Sequence, residues 1–245
     1  MFEAIMVSLI AGLATGLGAI PVIIFKDIPH RIYDALLGFA AGIMLSAAAF
    51  SLIVPALREG GLGPTVLGII LSALFIFFIE KAIPHLHPHF SQQSGQKGLS
   101  LKRGILMAAA IAIHNFPEGL SVGVGYASGR ENLGLVLAIA IAIHNIPEGL
   151  AVAAPLRKAG LSRVKSLVIT TLSGLVEPVA ALIGISLMSV SQAILPFGLA
   201  FAGGAMIYVV SDELIPECHS HGNETEATFG VIAGFITMIL IENLL

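Results

Sequence analysis

The sequence predicts an all-α integral membrane protein of eight transmembrane helices. Its composition, the length of its apolar runs and a polar motif repeated inside two of those runs lead to this fold class. Only 11% of the 245 residues are charged, and the mean hydropathy is +0.96. Soluble domains carry about 25% charged residues, so this chain has too little polar surface to cover itself in water. Apolar segments lie near 3–25, 34–57, 62–80, 102–127, 132–156, 163–188, 193–214 and 226–244. Each is near or above the roughly 20 residues that cross a bilayer. The first has no basic region before it and no clean small-residue cleavage site after it, so it reads as a retained helix rather than a leader. The longest polar stretch, about 81–101, is too short for a second domain. The reading is one domain, 1–245, with a histidine-bearing loop.

Eight helices leave seven loops, and the loops divide by charge. Lys26, Arg31, Lys81, Lys97, Lys102, Arg103, Arg157, Lys158, Arg163 and Lys165 flank loops one, three and five, while only Arg58 and Arg130 flank the even-numbered loops. The positive-inside rule then places the odd loops in the cytoplasm and both termini outside. Loop seven is acidic, which the rule does not count. A net charge of −3 gives no reason to expect a nucleic-acid partner. Cys218 is the single cysteine, so no internal disulfide forms. Together with Glu217, His219 and His221 it reads as either a solvated loop or a small loop metal site. Small residues at helical spacing, Gly38/Gly42 and Gly119/Gly123, suit close helix packing in lipid.

The repeated motif is AIAIHNFPEGL at 110–120 and AIAIHNIPEGL at 140–150. His114 lies about 11 residues from the charged start of its segment, about 16 Å in, near the middle of a 30 Å core. His144 reaches a similar depth from the other side, because the offset suits two antiparallel helices and a tight turn. His114 and Glu118 share a helix face, as do His144 and Glu148, with Asn115 and Asn145 about 100° around. Pro117 and Pro147 lack an N–H and free the carbonyls of Ile113 and Ile143, which predicts kinks. Glu177, followed by Pro178, is a third mid-depth acid. Ionisable groups in lipid are costly unless they pair or hold an ion, and two imidazoles with three carboxylates suit Zn²⁺ and its neighbours better than Mg²⁺ or Ca²⁺. Polar helix packing and a metal-free proton relay are the competing readings.

Catalysis fits less well. Diiron carboxylate bundles use Glu-x-x-His and zinc peptidases His-Glu-x-x-His; here the order is His-x-x-x-Glu. There is no Walker A string, hence no built-in ATPase. A membrane metalloenzyme and a non-transporting metal sensor are the rival functions to transport.

HNFPEG and HNIPEG on consecutive helices, followed by a Glu-Pro helix, resemble the ZIP (Zrt/Irt-like) metal transporters, in particular the bacterial ZupT/GufA-like branch. The resemblance spans essentially the whole chain. It implies uptake of Zn²⁺, with Fe²⁺, Mn²⁺, Co²⁺ or Cd²⁺ also carried, into the cytoplasm across a bacterial inner membrane by alternating access. It implies no resident cofactor, a homodimer in the bilayer, and kinked helices four, five and six around the metal. Helices one, four, five and six would move against two, three, seven and eight. It further implies a first ion on His114, Glu118 and Glu148, and a second on Asn115, Asn145, Glu148 and Glu177. Met44, Ser51, Asp212 and Glu213 match positions along the transport path. His85, His87 and His89, with His219 and His221, would be cytoplasmic metal contacts. Some relatives carry Asp in place of Asn145 and a non-histidine polar residue in place of His144. The second site here therefore has one charge fewer, and His144 is available as an extra ligand.

Overall fold

The computed structural model describes residues 1–25, 28–82, 99–130, 132–158 and 160–245. The described chain is helical throughout: α1 Phe2–Gly18, α2 Ile20–Ile24, α3 His30–Ser46, α4 Val54–Gly60, α5 Leu62–Ala82, α6 Leu99–Ala127, α7 Leu133–Lys158, α8 Arg163–Gly174, α9 Val176–Val190, α10 Leu195–Val209, α11 Ile215–Cys218 and α12 Glu224–Leu244. Several of these join end to end. Among the described residues, seven helical segments are long and apolar enough to cross a membrane: Phe2–Ile24, His30–Gly60, Leu62–Lys81, Leu133–Lys158, Arg163–Met188, Leu195–Cys218 and Glu224–Leu244. This is an all-α, multi-pass membrane fold. α6 adds a further helix of 29 residues.

The helices divide into two packed groups. α1 lies against α7, α8 and α9, while α6 lies against α9 and α7; α3 pairs with α12, and α10 pairs with α5 and α4. Contacts of α3 with α7 and of α10 with α6 join the groups. Glycines set the closest crossings. A Cβ on Gly149 would meet the Thr15 carbonyl, and one on Gly119 would meet the backbone of Glu177. Lipid removes most of the hydrophobic drive for helix association, so such backbone-to-backbone approach is what holds these pairs together. Elsewhere apolar stripes face outward, such as Leu67, Leu71, Leu74 and Phe78 on α5 and Phe229, Ile232, Ile236 and Leu240 on α12. So large an apolar surface belongs in lipid.

The prolines act differently from one helix to another. α6 and α7 remain helical through Pro117 and Pro147. The stretch that carries Glu177 is interrupted at Leu175, so that α9 restarts at Val176. This puts Pro178 in a first turn, where a missing N–H costs nothing. Two other interruptions are π-helical, Ala47–Ile53 and Val210–Leu214. Each stands just before a proline, Pro55 or Pro216, whose absent N–H leaves the carbonyl four residues back to find a longer partner.

Candidate metal centre

Antiparallel packing of α6 on α7 turns the two copies of the motif toward each other. Glu118 of α6 meets His144 and Glu148 of α7, with one ligand atom from each lying within 4.8 Å of the others. His144 Nε2 is 3.2 Å from Glu118 Oε1. Glu118 and His144 have no exposed surface, and Glu148 is 7% exposed. Beside them, Asn145 Nδ2 donates to Glu177 Oε1 at 2.6 Å and to the Ala11 carbonyl at 2.8 Å. Asn145 on α7 thus ties Glu177 of α9 to the backbone of α1. Glu177 stands in the first turn of α9, where the positive end of the helix dipole favours a carboxylate.

These groups are poorly satisfied by the protein itself. Glu118 Oε2, both side-chain polar atoms of Asn115, Asn145 Oδ1 and Glu177 Oε2 are buried without a hydrogen-bond partner among the described residues, and Glu118 Oε1 and His144 Nε2 have only their 3.2 Å approach to each other. Buried polar atoms normally have partners. Unmatched carboxylate and imidazole atoms that converge inside a membrane require either protons or a cation. A divalent ion would satisfy several of them together, and the mixed nitrogen and oxygen donors suit the zinc end of the series.

His114 points elsewhere. Its Nε2 lies 2.6 Å from Glu213 Oε1, and Glu80 completes a second group of three within 4.8 Å. The Tyr208 hydroxyl donates to Glu80 Oε2 at 3.1 Å. His114 is therefore turned toward the end of the Val210–Leu214 π segment rather than grouped with Glu118 and Glu148. Asp212 is exposed on that segment, while Met44 and Ser51 are buried on α3 and in the first π segment. The Cys218 thiol donates to the Ile215 carbonyl at 3.3 Å, as does His219 Nδ1 at 2.9 Å. His221 turns instead to Asp34, with 2.8 Å between Nδ1 and Oδ1. His85, His87 and His89 lie outside the described residues. Glu80, His30 and Asp34 are absent from the sequence-derived set. An acid inside an apolar run is itself a pointer to function, and that signal, applied to Glu80 and Asp34, would have found them.

Helices that carry imidazole and carboxylate ligands into the membrane interior from opposite directions define a multi-pass protein that handles cations within the bilayer. Comparison with known proteins narrows the class. Residues 89–242 match the family described as ZIP Zinc transporter, and the chain belongs to that family, in its ZupT/GufA-like bacterial branch. It is 40% identical over 251 residues to the zinc transporter GufA of Myxococcus xanthus, covering 99% of this chain and 98% of that one. It is 42% identical over 244 residues to the zinc transporter ZIPB of Bordetella bronchiseptica, covering 95% and 78%. With the zinc transporter ZupT of Chlorobaculum parvum it shares 39% over 256 residues, covering 96% and 94%.

Proposed function

We propose that this chain carries zinc-type divalent cations across the membrane through the buried ligands of α6, α7 and α9, by alternating access and toward the cytoplasm. It is a transporter of divalent metal ions and not an enzyme. The observation that carries the reading is the convergence of Glu118, His144 and Glu148 at a buried point, where Glu118 Oε2 and its neighbours Asn115 and Glu177 Oε2 lack protein partners. One ion binds there. A second ion is held more weakly by Asn115, Asn145, Glu148 and Glu177, for up to two ions per protomer, and His114 passes an ion between Glu118/Glu148 and the Glu80/Glu213 pair. In this reading α6 is the eighth span. Bending at Pro117 and Pro147 and at the Leu175 interruption lets the α1, α6–α9 group rock against the α3–α5, α10–α12 group. Met44, Ser51 and Asp212 line the path. Residues 1–245 form one transport domain, the loop at about 81–101 adds histidines on the cytoplasmic side, and the protein sits as a homodimer in a bacterial inner membrane with both termini outside. The direct test is zinc flux into sealed liposomes containing an impermeant zinc dye. Flux no greater than in protein-free liposomes, in either orientation, would overturn the proposal.

Protons compete with the ion. A histidine must be neutral to give its lone pair to a metal, so protonation at His144 or His114 removes a ligand. Lower pH therefore weakens binding: zinc affinity falls as pH drops from about 7.5 toward about 6, near the reference histidine value of about 6.5. Calorimetric titration across that window checks this, and an affinity that does not change with pH contradicts it.

Asn145→Asp replaces a donor to Glu177 with a second carboxylate facing the first. Across the present Asn145 Nδ2 to Glu177 Oε1 spacing of 2.6 Å, two negative charges repel strongly in a low-dielectric site unless a cation stands between them. Metal-free Asn145→Asp is expected to melt below the unsubstituted protein. Zinc is expected to restore its stability and to raise the metal content per chain, read by elemental analysis. Saturating flux should fall, because an ion must leave a transport site as well as enter it. If the unsubstituted protein already holds two tight ions and Asn145→Asp adds none, neutral Asn145 is not what limits the second site.

A further inference from the structure

A third group of ligand-type side chains stands apart from the α6–α7 cluster. His30, Asp34 and His221 bring one ligand atom each within 4.8 Å of one another. The geometry points to a separate divalent-cation site, with His30, Glu217 and His221 as ligands and Asp34 as the residue that positions His221.

Two i,i+4 pairs build it. His30 opens α3 and Asp34 follows one turn later on the same face; Glu217 on α11 reaches forward to His221, with Oε1 and Nε2 4.0 Å apart. Two ligands on one tetrahedral zinc ion lie roughly 3.4 Å apart, given bonds of about 2.0–2.2 Å, so this pair needs only a small closure. Asp34 is fully buried. Its Oδ1 lies 2.8 Å from His221 Nδ1, and its Oδ2 accepts from Asn223 Nδ2 at 2.8 Å. A carboxylate on one ring nitrogen fixes the tautomer and leaves the other nitrogen's lone pair for a metal. Asp34 thus leaves His221 Nε2 as the acceptor, and Nε2 is the atom that faces Glu217. The Tyr33 hydroxyl donates to Glu217 Oε1 at 3.4 Å and steadies it. The His30 ring lies face to face with His221, centroids 4.2 Å apart. His30 is exposed, so its edge can turn in as the third ligand. Two imidazoles and a carboxylate select zinc-like ions over Mg²⁺ and Ca²⁺.

Position suggests its use. Glu213 contacts His114, and Glu217 lies one helical turn further along the same stretch, about 6 Å away. The site stands at the odd-loop end of the protein, one step beyond Glu80 and Glu213, where it receives an ion leaving the membrane. That role rests on the transport reading; the binding does not.

The test uses the full chain in lipid nanodiscs, with Glu118→Gln, Glu148→Gln and Glu213→Gln introduced to silence both membrane clusters. The probe is Zn²⁺ alone, measured by equilibrium dialysis and elemental analysis. This background is expected to retain about one zinc per chain. His30→Ala and Glu217→Gln, each added singly, are expected to weaken that binding about tenfold or more, and His30→Ala with His221→Ala to abolish it. His30→Ala and Glu217→Gln leave the Asp34, His221 and Asn223 contacts intact, so a merely structural tie between the loop and α3 predicts no change in either. Zinc binding unaltered by both substitutions, or no zinc retained in the background, overturns the site. Equilibrium binding in a flux-dead background also keeps this outcome distinct from failure of the transport reading, which only the flux assay decides.

Discussion

Glu148→Ala is expected to abolish zinc flux, with a loss of roughly 10²- to 10³-fold, while Asn145→Ala retains measurable transport. Glu148 shares a face with His144 on α7 and joins Glu118 in the buried group. Its carboxylate is also the one assigned to both ion positions. Removing one partner from a buried charge assembly costs about 3–5 kcal/mol, which is the source of the fold-loss. Asn145 is neutral and holds Glu177 and the Ala11 carbonyl, so its removal costs about 1–3 kcal/mol of hydrogen bonding and leaves the net charge of the site unchanged. Flux into dye-loaded liposomes at matched protein content checks the pair. Equal and mild losses in both would remove Glu148 from the shared position.

The second large effect comes from a methyl group. In an ordinary exposed helix interior, Gly→Ala stabilises by about 1 kcal/mol. Gly119→Ala is expected to do the opposite, because the new Cβ meets the carbonyl, Cα and carbonyl carbon of Glu177. Backbone cannot rotate out of the way as a flexible side-chain tip can, so α9 must shift, and Glu177 moves with it. Overpacking of this kind costs about 1–3 kcal/mol. The expected result is a lower Tm together with loss of most zinc flux. Gly63→Ala on α5 is the control, since a Cβ there meets nothing within 4 Å; it should leave Tm unchanged or slightly raised. Thermal melts of the two variants in the same detergent check the contrast. An unchanged Tm and full flux in Gly119→Ala would show that the α6–α9 crossing is not set by this glycine.

Much of the fold was legible in the sequence because lipid imposes a strict rule. A span must satisfy its backbone internally and present an apolar exterior, so run length alone places helices to within a few residues. The predicted 62–80 run became α5, Leu62–Ala82, and the 226–244 run became α12, Glu224–Leu244. The prolines were harder to read. Pro117 and Pro147 stay inside unbroken helices, whereas the π segments precede Pro55 and Pro216, which had carried no special weight. A proline states that one hydrogen bond is missing. Neighbouring helices decide whether the freed carbonyl is absorbed locally or widens a turn.

The sequence by itself determined that this is a multi-pass helical membrane protein whose imidazoles and carboxylates stand four residues apart on two successive helices. It did so because spacing along one helix fixes which side chains share a face. Only the tertiary structure decided which faces meet. His114 is matched with Glu213, 99 residues away, rather than grouped with Glu118, its neighbour four residues on. His144 is brought to Glu118, Asn145 to Glu177, and His221 to Asp34. The rotation of each helix about its own axis is not written in its own periodicity. It is set by where the helices can approach, at Gly119 against Glu177 and Gly149 against Thr15. Those contacts exist only once both partners are in place.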